Sequence, residues 1–271
     1  MINWPHGRLG KKNAFVMLAT DHGSMLVNRF DFNTEPSGYV YGVGHVLLET
    51  SSFDPPELNL IMQVLVLLKQ LRGDGVIMID GGANIGVHSL TAGRLMQGWG
   101  SVLSFEAQER VFYALAGNVA MNNLFNVTVR WNALAQEPTN IDIPVPDYLR
   151  PSSFGSLEMQ YTDKSEDIGQ RIDMTKCQSV QAISVDSLNL PRLDFLKLDV
   201  EGMEAQVILG AKDTILRCKP ILQVERLKGN QTTLVELVKS FDYSLHDAGL
   251  NMLCIPNDDP ILKFLVKQHH E

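Results

Sequence analysis

The sequence has few cysteines and no long hydrophobic run. Its three cysteines, Cys177, Cys218 and Cys254, are far apart, and an odd, widely spaced set forms neither a disulfide framework nor a zinc motif. The most apolar segment, residues 58–68, is too short to span a membrane and is interrupted by polar residues. The first residues show no charged stretch followed by an apolar one, the pattern of a secretory leader. These absences predict a protein with reduced thiols and no membrane span, in the cytoplasm.

Basic residues are also scarce relative to acidic ones. The chain of 271 residues has 23 Lys plus Arg against 31 Asp plus Glu, a net charge of −8. This balance disfavours a wide footprint for nucleic acid or anionic lipid, so we expect no nucleic-acid partner. The length and the hydrophobic fraction of 45% are sufficient for one α/β domain with a full core.

The pattern of residues near the N-terminus predicts a hairpin followed by a helix. Two strand-like runs, residues 14–20 and 25–32, flank the turn-forming sequence Asp21-His22-Gly23-Ser24. A helix is expected to begin at Pro55-Pro56-Glu57, where the missing N–H of proline is not needed, and to end before Gly73. The strand edge of the hairpin would offer a contact for a homodimer.

From residue 76 onward, strand and helix patterns alternate, which predicts a mostly parallel sheet with helices on both faces. We therefore expect an N-terminal extension over residues 1–73, packed on a core domain over residues 74–271. The last two strands must be antiparallel, because their connection is too short for a crossover helix. The predicted strands are residues 76–79, 101–105, 127–131, 180–185, 195–198, 221–224, 243–246 and 251–255, and the predicted helices run to residue 96 and over 111–122, 203–216 and 234–241.

A glycine-rich turn, Asp80-Gly81-Gly82-Ala83-Asn84-Ile85-Gly86, follows the first buried strand and opens a helix. Glycine lets a ligand approach the backbone, and a helix N-terminus offers free N–H groups to an anion. Glu106 ends the second strand, where an acidic residue can bind the hydroxyls of an adenosine ribose. The Gly-x-Gly-x-x-Gly spacing of dinucleotide sites is missing, so S-adenosylmethionine fits better than a nicotinamide cofactor.

A second unusual segment covers residues 193–204. Lys197 and Asp199 share one face of a strand by its period of two, and a charged lysine in an apolar strand requires a partner such as Asp199. Asp80, Glu106, Asp199 and Glu225 all end predicted strands and should surround one crevice. The competing interpretation treats such acids as helix-capping charges, which suits Glu201 and Glu204, or treats Glu225 and Arg226 as a strand-end ion pair.

These segments together resemble the FkbM family of S-adenosylmethionine-dependent methyltransferases. The match rests on Ile79 to Gly86, on Phe105-Glu106-Ala107, on Asp194-Phe195-Leu196-Lys197-Leu198-Asp199-Val200-Glu201-Gly202, and on Lys219 to Glu225. The resemblance implies a Rossmann-like, seven-stranded class I methyltransferase sheet with an antiparallel C-terminal hairpin. It also implies O-methylation of a hydroxyl, commonly on a sugar or a sugar-containing natural product.

The resemblance further implies which residues bind the cofactor and which act on the acceptor. Asp199 would lie near the sulfonium and the acceptor as base or orienting group, with Lys197 fixing it, and Glu201 or His88 would be weaker candidates for the base. His88 stands where an aromatic residue is common in the family. The expected cofactor-binding residues are Asp80, Gly82, Asn84 and Gly86 for the methionine part, Glu106 for the ribose, Asn132 and Ala133 near adenine, and also Ala83, His88, Ala107 and Asp199.

Three other functions remain open from the sequence. An NAD-linked oxidoreductase is opposed by the glycine spacing, and an RNA 2′-O-methyltransferase by the acidic balance. The third alternative is a nucleotide-binding module without catalysis. No metal site is predicted, because Asp199 and Glu201 have no His or Cys beside them in a ligand spacing.

Residues 136–180 interrupt the α/β pattern with four prolines and many polar side chains. A loop of this length inside a compact domain is usually functional or mobile. Its segment Ser152-Ser153-Phe154-Gly155-Ser156 is a candidate for binding the acceptor, a small molecule or glycan. The alternative is a disordered surface insertion.

Overall fold

A computed structural model describes residues 13–159, 161, 165–229 and 231–265. Residues 1–12 of the predicted extension and residues 266–271 of the predicted core domain therefore lie outside the described residues. The first residues of the chain, on which the prediction about a secretory leader rests, are among them. The N-terminal segment, residues 13–73, contains β1 (Phe15–Thr20), β2 (Gly23–Asn28), β3 (Asn33–Thr34), β4 (Val40–Tyr41), α1 (Val43–Thr50) and α2 (Pro55–Arg72).

The elements alternate from residue 76 as the sequence predicts. They are β5 (Val76–Gly81), α3 (Val87–Leu95), β6 (Gly100–Glu106), α4 (Glu109–Met121), β7 (Val127–Trp131), β8 (Ala133–Leu134), β9 (Thr139–Pro144), β10 (Cys177–Ile183), β11 (Phe195–Leu198), α5 (Glu204–Leu209), α6 (Lys212–Cys218), β12 (Ile221–Glu225), α7 (Gln231–Ser240), β13 (Tyr243–Ala248), β14 (Asn251–Pro256) and α8 (Leu262–Leu265).

The central sheet has seven strands in the order β13-β14-β12-β11-β5-β6-β7. β14 is antiparallel to both neighbours, and the other pairs are parallel. The predicted class I methyltransferase sheet with an antiparallel C-terminal hairpin is confirmed. The strand order reverses between β5 and β11, and the crevice beyond the carboxyl ends of such strands is where ligands bind in open α/β sheets.

Apolar side chains on alternate positions of the strands form two cores, one on each face. On β11, Phe195 belongs to the core under α2, α3 and α4, whereas Leu196 and Leu198 belong to the core under α5, α6 and α7. Lys197 shares a face with Phe195 by the period of two. Its side chain therefore lies on the side of the sheet that α2 covers.

The N-terminal hairpin is present, with a tighter turn than predicted. Thr20 pairs with Gly23, so that only Asp21 and His22 form the turn. The hairpin packs on α4, where Asn118 donates to Leu26 O at 3.3 Å and accepts from Leu26 N at 2.5 Å. The division of the chain at residue 74 stays a prediction, because α2 and the strands share one hydrophobic core.

Two predicted elements differ from the structure. Residues 136–180 are not an uninterrupted loop, since β9 pairs with β10, and β10 pairs with β8, in a separate three-stranded sheet. The predicted helix over residues 203–216 is broken into α5 and α6 at Gly210. A side chain at Gly210 would meet the backbone oxygen of Ala135 at 2.3 Å, so the chain turns there to pass that backbone.

The described residues also bear on membrane insertion and disulfides. None of their helices combines the length and the apolar composition that a membrane span needs. Cys177, Cys218 and Cys254 are free thiols, as expected.

Candidate active site

A cavity of about 360 Å³ lies at the switch point, beyond the carboxyl ends of β5, β6, β11 and β12. We call these strand ends and the turns that follow them the floor, and residues 31–53 together with residues 152–159 the cover. The lining residues are Tyr39, Tyr41, Gly42, Val43, Val46, Phe53, Gly82, Ala83, Asn84, Val87, His88, Glu106, Gln108, Ile143, Ser153, Gly155, Ser156, Leu157, Met159, Lys197, Asp199, Val200, Glu201, Glu225 and Leu250.

The glycine-rich turn is held tightly against the neighbouring strands. Gly82 has a φ of +75°, and a side chain there would meet the backbone oxygen of Asp199 at 1.7 Å. The backbone N–H groups of Gly82 and Ala83 both donate to Phe105 O, at 3.1 and 2.9 Å. Only glycine permits this close approach, so the turn and the end of β11 form one continuous wall.

Glu106 lies at the end of β6 with both carboxylate oxygens bound by backbone. Oε2 accepts from Asn84 N at 2.9 Å, and Oε1 accepts from Gln108 N at 2.8 Å. Burial raises the pKa of Glu106 to about 7, although these N–H groups oppose the shift. A carboxyl group that is buried yet lines the cavity is suited to accept hydroxyl donors from a ligand.

Lys197 is buried between two carboxylates of the floor. Its Nζ lies 3.5 Å from Asp199 Oδ2 and 3.7 Å from Asp80 Oδ1, with 3% of its side chain exposed. Burial alone would lower the pKa of Lys197, but Asp199, Asp80 and Glu57 outweigh it and the pKa is raised. The lysine is therefore a permanent cation that orients Asp199.

Three carboxylates lie close together on one side of the floor. Oxygens of Asp199, Glu201 and Glu225 lie within 4.8 Å of one another. Burial and the nearby Asp199 raise the pKa of Glu225 to about 8 and also raise the pKa of Glu201. Such a donor set could hold a cation, either a divalent metal or a positively charged cofactor.

Lys228 and Arg226 pair differently from the sequence prediction. Lys228 Nζ lies 2.5 Å from Glu201 Oε2. Arg226 forms its ion pair with Asp247, so the predicted strand-end pair of Glu225 with Arg226 is wrong. Glu225 thus faces the cavity instead of a surface cation.

Glu204 has the structural role that the capping interpretation gives it. It is 2% exposed, and its Oε1 accepts from Val200 N at 3.1 Å and Gly202 N at 3.2 Å. It fixes the turn that carries Glu201 towards the cavity.

The predicted site residues divide into those that line the cavity and those that lie behind it. The lining residues are Gly82, Ala83, Asn84, His88, Glu106, Lys197, Asp199 and Glu201. Asp80 is fully buried and accepts from Ser89 Oγ at 2.6 Å, so it supports the floor from below. Gly86, Ala107 and Ala133 also lie outside the lining, and Asn132 donates to Gln181 O at 3.0 Å, within the second sheet.

The cover is fastened by one buried carboxylate. Asp31 is 3% exposed; its Oδ2 accepts from Gly44 N at 2.9 Å, and its Oδ1 accepts from Phe154 N at 3.0 Å. Burial raises the pKa of Asp31 to about 6. Residues 152–157 are therefore packed against the N-terminal segment and are not an exposed insertion.

A comparison with known families identifies the chain. The Methyltransferase FkbM domain matches residues 80–252. The chain belongs to the FkbM methyltransferase family.

Individual relatives are distant. Methyltransferase 1 of Beauveria bassiana (strain ARSEF 2860) is 24% identical over 151 residues, which cover 52% of this chain and 60% of that protein. The chain thus spans less than two thirds of the curated relative that it matches.

Solved structures with partial similarity include two methyltransferases. Methyltransferase FkbM from Methylobacillus flagellatus KT is 19% identical, with 67% of this chain and 44% of that chain covered and a TM-score of 0.46. The N-terminal domain of human METTL16 in complex with SAH is 14% identical, with 84% and 89% covered and a TM-score of 0.41.

The FkbM match has a sharp consequence for the site. It includes the strand ends that supply Glu106, Asp199 and Glu225, but it begins after α2 and excludes Asp31. The floor and residues 152–159 of the cover thus lie within the matched range, and the N-terminal half of the cover lies outside it.

Glu57 is a residue near the site that sequence reasoning missed. Its Oε1 accepts from Gln223 Nε2 at 2.6 Å and lies 3.2 Å from His88 Nε2. Only its position in the first turn of α2 was evident, where an acidic residue normally stabilises the helix dipole. Its contacts with Gln223 and His88 depend on how α2 packs on the sheet, and no local pattern of residues in the sequence predicts that packing.

Proposed function

We propose that this FkbM family protein is an S-adenosylmethionine-dependent O-methyltransferase that acts on a hydroxyl of a sugar or a sugar-containing natural product. The observation that carries the proposal is one cavity that joins the glycine-rich turn, Glu106 and Asp199 at the switch point of the sheet. Family membership favours methyl transfer over the hydride transfer of an NAD-linked enzyme.

The residues of the floor fit S-adenosylmethionine. Glu106 would accept the ribose hydroxyls, and the turn around Gly82 and Asn84 leaves room for the methionine part. The crowded carboxylates at Asp199 and Glu225 would be relieved by a positive charge beside them, since like charges this close resist joint ionisation. The bound cofactor would supply a methyl group activated by its sulfonium.

Asp199 is proposed to meet the acceptor hydroxyl. Its Oδ2 faces Lys197 at 3.5 Å, which fixes the carboxylate in one orientation. Asp199 would hold the hydroxyl in line for attack, because positioning supplies much of the rate of such a displacement. Glu201, bound by Lys228, would shape the same side of the site.

The cover is proposed to select the acceptor. Tyr39 and Tyr41 line the cavity with rings nearly parallel, 6.4 Å apart at an angle of 12°. Ser153 and Ser156 add hydroxyl groups on the opposite segment. Aromatic faces beside polar groups suit a small molecule or glycan with both apolar and hydroxylated surfaces. The strand edge of β1 remains our candidate for a homodimer contact.

A methyl-transfer assay tests this proposal. The full chain would be incubated with S-adenosylmethionine labelled in its methyl group and with panels of sugar, lipid-linked sugar and peptide acceptors. We expect the labelled methyl group on a hydroxyl-bearing acceptor. Binding of NAD in a calorimetric titration, together with no methyl transfer to any acceptor, would contradict the proposal.

Asp199→Asn tests the role of the carboxylate in that assay. We expect turnover to fall about 100-fold, with cofactor affinity changed much less, whereas Asp142→Asn on the exposed side of β9 should retain full turnover. If Asp199→Asn binds the cofactor normally and turns over like the wild type, the role assigned to Asp199 is wrong.

A further inference from the structure

Glu57 belongs to the N-terminal segment, yet its carboxylate touches two residues of the sheet-and-helix core. Gln223 Nε2 donates to Glu57 Oε1 at 2.6 Å, and His88 Nε2 lies 3.2 Å from the same oxygen. The side chains of Glu57 and His88 are only 15% and 10% exposed. A carboxylate and an imidazole are thus paired at the edge of the proposed active site.

The charge on Glu57 favours hydrogen on the ring nitrogen of His88 that lies nearest to it. Burial raises the pKa of Glu57, but its contact with His88 and the field of Lys197 outweigh this and lower the pKa to about 2. The carboxylate is therefore ionised at neutral pH and favours an N–H on Nε2. Nδ1 then keeps its lone pair, and His88 lines the cavity.

The other candidate bases are held by cations. Asp199 faces Lys197, and Glu201 is bound by Lys228. These pairings orient the two carboxylates beside cations. His88 instead has the anion of Glu57 beside it, which would stabilise the imidazolium that proton acceptance forms.

We propose that His88 accepts the proton of the acceptor hydroxyl and that Glu57 is the positioning residue that holds His88 in the competent tautomer. This inference rests on the proposed function. The hydroxyl oxygen would form a bond to the methyl carbon while the carbon–sulfur pair stays with sulfur, and the hydroxyl proton would pass to Nδ1. The resulting imidazolium would keep its Nε2–H towards Glu57.

The groups around His88 set the direction of its titration. From α2, Glu57 and the N-cap residue Asp54 favour the charged ring. From the turn after β1, His22 opposes it, and burial lowers the pKa of His22. From β11, Lys197 weakens the field of Glu57. Removing the Glu57 charge should therefore make the protonated ring less favourable.

Nuclear magnetic resonance of the full, cofactor-free chain tests the pairing without any turnover. The imidazole signal of His88 would be assigned by its loss in His88→Asn and followed against pH in wild type and in Glu57→Gln. We expect Glu57→Gln to shift the titration by about one unit towards lower pH. Glu49→Gln removes the same charge from the exposed side of α1 and should leave the titration unchanged. Equal pKa values in wild type and Glu57→Gln would overturn the pairing.

The pH dependence of methyl transfer tests the base itself, with the acceptor that the labelled assay identifies. His88→Asn should lower turnover about 100-fold at saturating S-adenosylmethionine. Glu57→Gln should move the acid limb towards lower pH, and Glu57→Asp, which keeps the charge, should restore it.

The outcomes separate the two proposals. If the wild type methylates none of the acceptors, the proposed function fails and the base assignment fails with it. If an acceptor is methylated but His88→Asn keeps more than half of the turnover, only the assignment of His88 is overturned.

Discussion

The floor and the cover of the cavity are held together in different ways. The floor is a set of strand ends in which Lys197 is buried between Asp80 and Asp199. The two pieces of the cover are joined by the hydrogen bond from Phe154 N to Asp31 Oδ1, and the backbone bond from Ser152 N to Phe30 O at 3.0 Å lies beside it. The second bond of Asp31, from Gly44 N, lies within the N-terminal piece. Damage to the floor should therefore affect the whole fold, whereas damage to the cover should stay local.

The floor and the cover also present different kinds of side chain to the cavity. The floor concentrates carboxylates, which suit a cationic cofactor. The cover contributes aromatic rings and hydroxyls, which suit an acceptor. A cover that opens independently would let the acceptor enter while the floor stays formed.

The largest effect is expected when the buried cation of the floor is removed. Lys197→Met leaves Asp80, which is fully buried, without its ion partner. Breaking a buried pair from one side costs about 3 to 5 kcal/mol, and denaturant unfolding would measure the loss.

Lys176→Met is the matched control for Lys197→Met, because Lys176 pairs with Asp173 on the surface with 73% of its side chain exposed. Lys176→Met should leave the midpoint of denaturant unfolding nearly unchanged. Equal losses of unfolding free energy in Lys197→Met and Lys176→Met would contradict the view that the buried ion pairs of the floor stabilise the whole fold.

A more local effect is expected at the fastening of the cover. Asp31→Ala leaves the N–H groups of Gly44 and Phe154 buried without acceptors, at about 1 to 3 kcal/mol each. Hydrogen exchange should accelerate at these two amides and leave the amides of β5 and β11 protected.

The exposed turn residue Asp21 offers a control for Asp31. Asp21→Ala should not change the exchange of Gly44 or Phe154. If hydrogen exchange in Asp31→Ala accelerates equally at amides across the whole sheet, the cover and the floor unfold as one unit.

The same two regions differ in how far the sequence predicts them. β7 and β11 were predicted residue for residue, because buried parallel strands read as short apolar runs bounded by turn residues. The pairing of Lys197 in β11 was predicted because a charged lysine in an apolar strand requires a partner of opposite charge. Glu106 and Asp199 were predicted because strand ends of a parallel sheet meet at one edge.

The cover has no such local signal. α1 was missed because Gly44 weakens a helix pattern, although a side chain there would meet Asn28 O at 2.3 Å and its N–H is needed by Asp31. The small core of Leu157, Ile168 and Ile172 draws on residues far apart in a polar stretch. These features depend on tertiary contacts, which periodicity does not report.

A third prediction concerns the pH dependence of the floor. Burial raises the pKa of Glu106 from 4.5 to about 7, so the folded protein keeps a proton that the unfolded chain has released. The free energy of unfolding should therefore fall as the pH rises, by about 2 kcal/mol between pH 5 and pH 7 from this group. Asp31 adds a decrease in the same direction up to about pH 6.

Glu106→Gln isolates that contribution. Thermal unfolding of the cofactor-free protein should depend less on pH between 5 and 7 in Glu106→Gln than in wild type. Glu109→Gln, on the exposed first turn of α4, should keep the wild-type slope. An unchanged slope in Glu106→Gln would show that Glu106 releases its proton at the same pH in the folded and the unfolded protein.

The most direct test of the account is a calorimetric titration with S-adenosylhomocysteine at pH 8, in wild type, Glu106→Gln and Glu109→Gln. The account predicts that wild type and Glu109→Gln bind with equal affinity and that Glu106→Gln binds at least about tenfold more weakly, since hydrogen bonds to a charged group contribute about 1.5 to 3 kcal/mol. Wild type that fails to bind, or Glu106→Gln that binds as tightly as wild type, would contradict the claim that the floor of the cavity holds the cofactor.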